Sequence, residues 1–64
     1  MAEFVVEEMN GEMIYRRRRG EAPSAIQAAM SITGRPIVTG RVPGIWVRVI
    51  HAETKQEWEY HFGD

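Results

Sequence analysis

The sequence predicts a small α+β domain in which one helix packs on one face of an antiparallel sheet. Three observations predict it: an Asn-Gly turn between two apolar-rich segments, a capped helical segment after Pro23, and two alternating segments near the end of the chain. The predicted element order is ββαβ(β)β, two hairpins with one helix between them. At 64 residues the chain is predicted to be a single domain, 1–64.

The first hairpin is predicted over residues 3–18. Asn10-Gly11 is the dipeptide that best supplies both positive-φ positions of a two-residue type I′ turn. With these two residues at the centre of the turn, Val6 pairs with Tyr15. The hairpin residues expected to face the helix are Phe4, Val6, Met13 and Tyr15.

The helix is predicted over residues 24–33. Ser24 and Gln27 have the spacing of a capping box, Pro23 cannot extend a helix backward, and Gly34 can adopt the left-handed conformation that ends one. The stripe expected to face the sheet consists of Ile26, Ala29, Met30 and Thr33, flanked by Ala25 and Ile32.

Residues 34–44 contain three glycines and two prolines, too many for a long strand. They are predicted to form a loop, with an extra short edge strand near 36–39 as the alternative. Whether the two hairpins join into one sheet stays open at this point.

The second hairpin is predicted over residues 45–62, because two alternating segments flank a turn-like stretch at 52–55. The register that pairs Val49 with Trp58 places the apolar side chains on one face. A slip by one residue would bury the glutamates instead, so this register is strongly specified. The other pairs expected from it are His51 with Gln56, Val47 with Tyr60, Ile45 with Phe62, Arg48 with Glu59, Ile50 with Glu57 and Trp46 with His61.

Composition argues against several classes of protein. The chain has no cysteine, a formal net charge of -1 and a pI near 6.1, so it lacks thiolate metal sites and the overall positive charge of a histone-like protein. Glutamates interrupt the N-terminal apolar residues and no apolar run is long enough to span a bilayer, so a cytoplasmic location is expected. No catalytic residue, cofactor or metal site is predicted. His51 and His61 are expected on opposite faces of the sheet, where they cannot converge.

The segment YRRRRG contains four consecutive arginines, Arg16 to Arg19. In the predicted register Arg16 and Arg18 lie on the outer sheet face near Glu7 and Glu3, which favours a structural role as ion pairs. No carboxylate is predicted near Arg17 or Arg19. Together with Arg35 and Arg41 from the glycine-rich loop, these two are expected to form a basic rim, suited to phosphate or to an acidic protein surface.

Trp46 is predicted on the sheet face that the helix leaves uncovered, beside Arg48. Two interpretations stay open. Trp46 belongs either to an exposed apolar patch of the kind found at protein interfaces, together with Val5, Met9, Ile14 and Ile50, or to a monomer surface on which Arg and Glu side chains cover it.

The segments FVVEEM, SAIQAAMSITG, GIWVRVI and QEWEYHF follow in an order that resembles small phage and plasmid proteins, among them some type I anti-CRISPR inhibitors, in which one helix packs on a small antiparallel sheet. The resemblance covers most of the chain. It implies a non-enzymatic inhibitor, encoded by a mobile element, that docks on a host protein or nucleoprotein complex.

Three functional hypotheses follow. The first is a non-catalytic interaction module that uses the outer sheet face and the arginine rim. The second is a nucleic-acid-binding protein that contacts the phosphate backbone through Arg16 to Arg19. The third is a homo-oligomer, with a homodimer as its simplest form, whose sheets pack back to back. The candidate partner-binding residues are Arg16, Arg17, Arg18, Arg19, Arg35, Arg41, Trp46 and Arg48.

Overall fold

The computed structural model describes residues 1–64 as one five-stranded antiparallel sheet and one helix. The elements are β1 (Ala2–Asn10), β2 (Met13–Ala22), α1 (Ala25–Thr33), β3 (Ile37–Thr39), β4 (Ile45–His51) and β5 (Glu57–Phe62). The strand order in the sheet is β2-β1-β4-β5-β3, so β2 and β3 are the two edge strands. The predicted α+β class is confirmed. Pairing of β1 with β4 along their length joins the strands into a single sheet.

The register of β4 and β5 is the predicted one. Val47 pairs with Tyr60 and Val49 pairs with Trp58, and the backbone N–H of His51 donates to the carbonyl of Gln56 at 2.8 Å. This register agrees with the alternation of apolar and charged residues, since a slip by one residue would bury glutamates. The short strand near 36–39 is also present, as β3, and it pairs with the end of β5.

The predicted register of β1 and β2 is wrong. Gly11 is the first central residue of the turn rather than the second, because Asn10 already pairs with Met13. Only Gly11 has a positive φ in this turn, +60°, as a type II′ turn requires. A bulge between residues 8 and 9 moves the register by a further residue.

The new register changes which side chains of β2 face the helix. Val6 now lies opposite Arg18 instead of Tyr15. Met13 and Tyr15, expected in the core, are 74% and 53% exposed on β2. The arginines also change sides, so that Arg17 lies on the outer face, opposite Glu7.

The helix has the predicted caps. The Ser24 hydroxyl accepts a hydrogen bond from the backbone N–H of Gln27, and Gly34, with φ +70°, donates its N–H to the carbonyl of Met30. The predicted stripe is partly wrong, because Met30 is exposed and the buried positions are Ala25, Ala28 and Ala29.

The helix packs close to the sheet because its buried face consists of alanines. Glycine on β2 contributes as well, since a Cβ at Gly20 would lie only 3.0 Å from the side chain of Ile32. The core between the two layers consists of Phe4, Val6, Ala22, Ala25, Ala28, Ala29, Ile37, Val47, Val49 and Tyr60. No helix has the length and apolar character needed to cross a membrane.

Candidate interaction surface

The face of the sheet opposite the helix has a row of alternating charges. Arg17, Glu7, Arg48 and Glu59 occupy neighbouring positions on β2, β1, β4 and β5 respectively. We call these four residues the charge row. Opposite charges on adjacent strands attract, so the row stabilises the register of all four strands.

Glu7 is the centre of the charge row. Its side chain is only 2% exposed and accepts two short hydrogen bonds, from Arg17 Nε at 2.8 Å and from Arg48 Nε at 2.6 Å. A buried carboxylate is costly unless charged donors satisfy it, and here each oxygen has its own arginine. Glu7 and Arg48 therefore belong to the scaffold of the outer face.

The other arginines of β2 also contact glutamates of β1. On the helix side of the sheet Arg18 lies 2.8 Å from Glu8, and on the outer face Arg19 lies 3.4 Å from Glu3. Arg16 is the member of the run without a carboxylate partner. The expectation that Arg17 and Arg19 lack partners and that Arg16 has one is wrong, because it depended on the wrong register.

The arginines of the loop and the helix end are paired too. Arg35 lies 2.8 Å from Asp64 and stacks over the ring of Phe62, with its guanidinium carbon 3.6 Å from the ring centre. The hydrogen bond from Arg35 holds the pKa of Asp64 below its usual value and raises the pKa of Arg35 itself. The prediction that Arg35 is an unpaired member of a basic rim is therefore wrong.

Arg41 connects the loop before β4 to the first turn of the sheet. It lies 2.6 Å from Glu12, and hydrogen bonding and charge attraction from Arg41 lower the pKa of Glu12. A second carboxylate, that of Glu59, lies 3.9 Å away. All four arginines of the predicted rim, Arg17, Arg19, Arg35 and Arg41, therefore contact a carboxylate, and their expected lack of partners is wrong.

Trp46 is buried on the outer face, at 1% exposure. Its indole Nε1 donates to the carbonyl of Gly11 at 2.7 Å, and the guanidinium of Arg41 lies 4.1 Å from the ring centre. The backbone N–H of Gly11 also donates to Gly44, so the loop before β4 folds against the β1–β2 turn. The interpretation of Trp46 as part of an exposed patch is wrong. Of the Arg and Glu side chains that the alternative expects to cover Trp46, Arg41 lies over its ring.

The histidines have structural contacts. His51 Nδ1 accepts hydrogen bonds from the backbone N–H groups of Glu53 and Thr54, both at 3.1 Å, and this ring packs edge-on against Phe4. His61 Nδ1 lies 2.8 Å from the carbonyl oxygen of Gly40. No group of three or more His, Asp and Glu residues is close enough together to hold a metal ion.

β2 lies at one edge of the sheet and leaves that edge exposed. We call the residues from Met13 to Arg19 the β2 edge. Six of these seven residues are exposed, Arg18 is half-buried, and no strand pairs with this side of β2. Of the eight candidate partner-binding residues, the structure brings four together here, Arg16 to Arg19, and it leaves Arg35, Arg41, Trp46 and Arg48 in other contacts.

The buried glutamates Glu7 and Glu8 were missed in the sequence. A signal for them exists, because Glu7 contacts Arg17 and Glu8 contacts Arg18, both at a sequence separation of 10. Aligning charges of opposite sign across the turn predicts these contacts, whereas the Asn-Gly rule alone does not.

The comparisons with known proteins find no match: no family model, no curated protein and no solved structure is similar to the chain. The fold and the surface define a small α+β domain with one uncovered sheet face and an arginine-rich edge strand.

Proposed function

We propose that this protein is a non-catalytic interaction module that docks on an acidic surface of another protein through the β2 edge. One observation supports the proposal above all. β2 is a ten-residue edge strand that presents four consecutive arginines and has no neighbouring strand on its outer side. The guanidinium groups of the arginines and the unpaired backbone N–H and C=O groups of β2 are therefore available to a partner along one strand.

The arginines remain accessible although most of them are paired. The side chains of Arg17 and Arg19 are 59% and 60% exposed, and Arg16 has no carboxylate partner. A guanidinium has five N–H donors, so one that bonds a glutamate within the protein keeps further donors for a carboxylate of a partner. The pair between Arg19 and Glu3 is exposed on both sides, and exposed ion pairs contribute little to stability and exchange partners at small cost.

The nucleic-acid alternative stays a hypothesis with a weaker basis. It assumed unpaired cations at Arg17, Arg19, Arg35 and Arg41, and each of these contacts a carboxylate. Carboxylates beside the arginines repel phosphate, and the formal net charge of -1 adds to this repulsion. The same mixed charges suit a protein surface, where complementary patches determine orientation and partner choice.

Inhibition of a host nucleoprotein complex is one form of this function, and it is the form implied by the resemblance to small type I anti-CRISPR inhibitors. It is tested in cells with an active type I CRISPR system. We expect expression of the protein to restore transformation by a targeted plasmid, and expression of the Arg16→Glu variant to do so less well. Unchanged interference would remove this form of the proposal while leaving the docking function to its own test.

The docking function is tested by capture from a nuclease-treated lysate of the source organism. Wild-type protein, Arg16→Glu and Lys55→Glu are immobilised, and the bound proteins are identified by mass spectrometry. Lys55 is exposed in the β4–β5 turn, so its replacement makes the same charge change away from the β2 edge. We expect a partner that binds wild type and Lys55→Glu but is lost with Arg16→Glu, because like charges at an interface cost several kcal/mol. Identical capture by all three proteins would refute docking through this edge.

A further inference from the structure

The β2 edge has two chemically different halves. Its first three residues, Met13, Ile14 and Tyr15, are exposed and largely apolar, and the four arginines follow directly. Both halves lie on β2, on either side of the bulge that leaves Tyr15 without a partner on β1, so a ligand that follows the strand meets the apolar half and the cationic half in a fixed order.

We propose that the β2 edge accepts an extended segment of a partner protein as a sixth strand of the sheet. The segment is acidic where it lies opposite Arg16 to Arg19 and apolar where it lies opposite Met13 to Tyr15. This inference rests on the proposed function, and it specifies both the chemistry of the partner and the way the partner binds. In such strand addition the backbone hydrogen bonds provide affinity, and the side chains provide specificity.

The topology favours β2 over the other edge. An edge strand exposes a row of unpaired N–H and C=O groups that forms a template for another strand. β2 provides ten residues for pairing, whereas β3, at the opposite edge, provides three. A segment that pairs along β2 can therefore form several more hydrogen bonds than one that pairs with β3.

A second copy of this chain is a poor occupant of the edge. Antiparallel pairing of two β2 strands about Arg17 would place Arg17 of one copy opposite Arg17 of the other, and Arg16 opposite Arg18. Like charges directly opposite each other on neighbouring strands are destabilising. The arginines that oppose self-pairing attract an acidic segment, so the charge of the edge selects between the two occupants.

The ion pairs within the protein leave the arginines able to bind carboxylates of the partner segment. Arg16 has no carboxylate partner to lose. Glu7 is bound by both Arg17 and Arg48, so Arg17 can turn toward a carboxylate of the partner while Glu7 keeps its 2.6 Å hydrogen bond from Arg48. The buried carboxylate then stays paired when the edge is occupied.

The test uses the full chain and synthetic fluorescent peptides of the same length as β2. One peptide has an acidic block followed by an apolar block, which is the order that suits antiparallel pairing, and a second has the blocks reversed. A third has lysines in place of the acidic residues. We expect binding of an acidic peptide, with an affinity that falls about tenfold or more with Arg16→Glu and about twofold or less with Lys55→Glu. Binding of the lysine peptide as tightly as the acidic ones would overturn the proposal.

Backbone pairing is tested separately by N-methylation of alternate residues in the acidic block of the peptide that binds, since the part of β2 from Arg16 to Arg19 pairs without a bulge. In a strand, alternate N–H groups point to the same neighbour, so one methylated set blocks pairing with β2 and the other leaves it intact. We expect one set to abolish binding and the other to preserve it. Equal affinities of both sets would refute a sixth strand while supporting charge-driven docking. If no acidic peptide binds, this inference fails, and the lysate capture still decides the proposed function independently.

Discussion

Glu7 is buried on a sheet face that has no second layer, and two arginines form ion pairs with its carboxylate. A carboxylate in this position is stable only while a charged donor remains bonded to it, because its desolvation must be offset by charged hydrogen bonds. Glu3 and Arg19 also form an ion pair between a carboxylate and a guanidinium, but both side chains are exposed. Comparing substitutions of Glu7 and Glu3 therefore isolates the effect of burial on stability.

We expect Glu7→Gln to lower the free energy of unfolding by about 2 to 3 kcal/mol, because it leaves a half-buried Arg48 without its counter-charge. Glu3→Gln, the control, is expected to change it by about 0.5 kcal/mol or less. Urea denaturation followed by circular dichroism measures both. Equal losses for the two variants would show that the burial of Glu7 has no energetic consequence.

Arg41 is expected to determine the titration of Glu12. The pKa of Glu12 is lowered from its ordinary value of 4.5, chiefly by the hydrogen bond from Arg41. The folded-state pKa of Glu12 is therefore below its unfolded-state pKa. The stability that the pair with Arg41 contributes is complete above about pH 4.5 and is lost as pH falls through the folded-state pKa. In Arg41→Gln we expect the pKa of Glu12 to rise toward 4.5, as measured by NMR of the side-chain carboxyl carbon.

The control for this titration is Arg35→Gln. This substitution removes the guanidinium group that contacts Asp64, so we expect it to raise the pKa of Asp64 and to leave the pKa of Glu12 unchanged. A pKa of Glu12 that stays low in Arg41→Gln would contradict the assigned cause.

At the scale of elements, helix α1 depends on its ends because its buried face offers little side-chain area. The residues buried against the sheet are three alanines, and each buries less apolar surface than a leucine would. A helix of nine residues is too short to be stable by itself in water. Capping and the close approach to the sheet at Gly20 therefore contribute a large part of its stability.

We expect Ser24→Ala to destabilise the protein by about 1 kcal/mol, because the backbone N–H of Gln27 loses its acceptor. Ser31→Ala is the matched control, since Ser31 is exposed within the same helix and alanine has the higher helix propensity. Thermal unfolding of both variants measures the difference. A loss in Ser31→Ala as large as that in Ser24→Ala would show that the cap is unimportant.

At the scale of the whole molecule, charge covers the sheet face that lacks a helix. The charge row and the burial of Trp46 leave that face without the apolar centre that stable protein interfaces have. Back-to-back packing of two sheets would bury ionised groups, and pairing of two β2 strands would oppose their arginines.

We therefore expect light scattering to give the mass of one chain, 7.4 kDa, at all concentrations measured. A dimer that persists on dilution would favour the homo-oligomer hypothesis. Replacement of Arg16 by glutamate would then show whether the β2 edge forms its interface, because that change reduces the repulsion between two copies.

We expect labelled duplex DNA, single-stranded DNA and RNA to show no binding in fluorescence anisotropy at physiological salt, because carboxylates accompany the arginines. Any binding at low salt is expected to be weak and to be the same for Arg35→Gln as for wild type. Tight, salt-sensitive binding that is lost in an Arg17→Ala/Arg19→Ala double variant would instead favour the nucleic-acid alternative.

The sequence by itself determined the elements whose signals are local. The register of β4 with β5 follows from an alternation that tolerates no slip, and the limits of α1 follow from Ser24 and Gly34. Only the tertiary structure decided the register of β1 with β2. The turn at Gly11 and Glu12 moves the partner of each β1 residue by two positions, and the bulge moves it by one more. That register places Arg17 opposite Glu7, and the four arginines lie along the β2 edge. Trp46 is likewise buried by Gly11 and Arg41, residues from two other parts of the chain that only folding brings together.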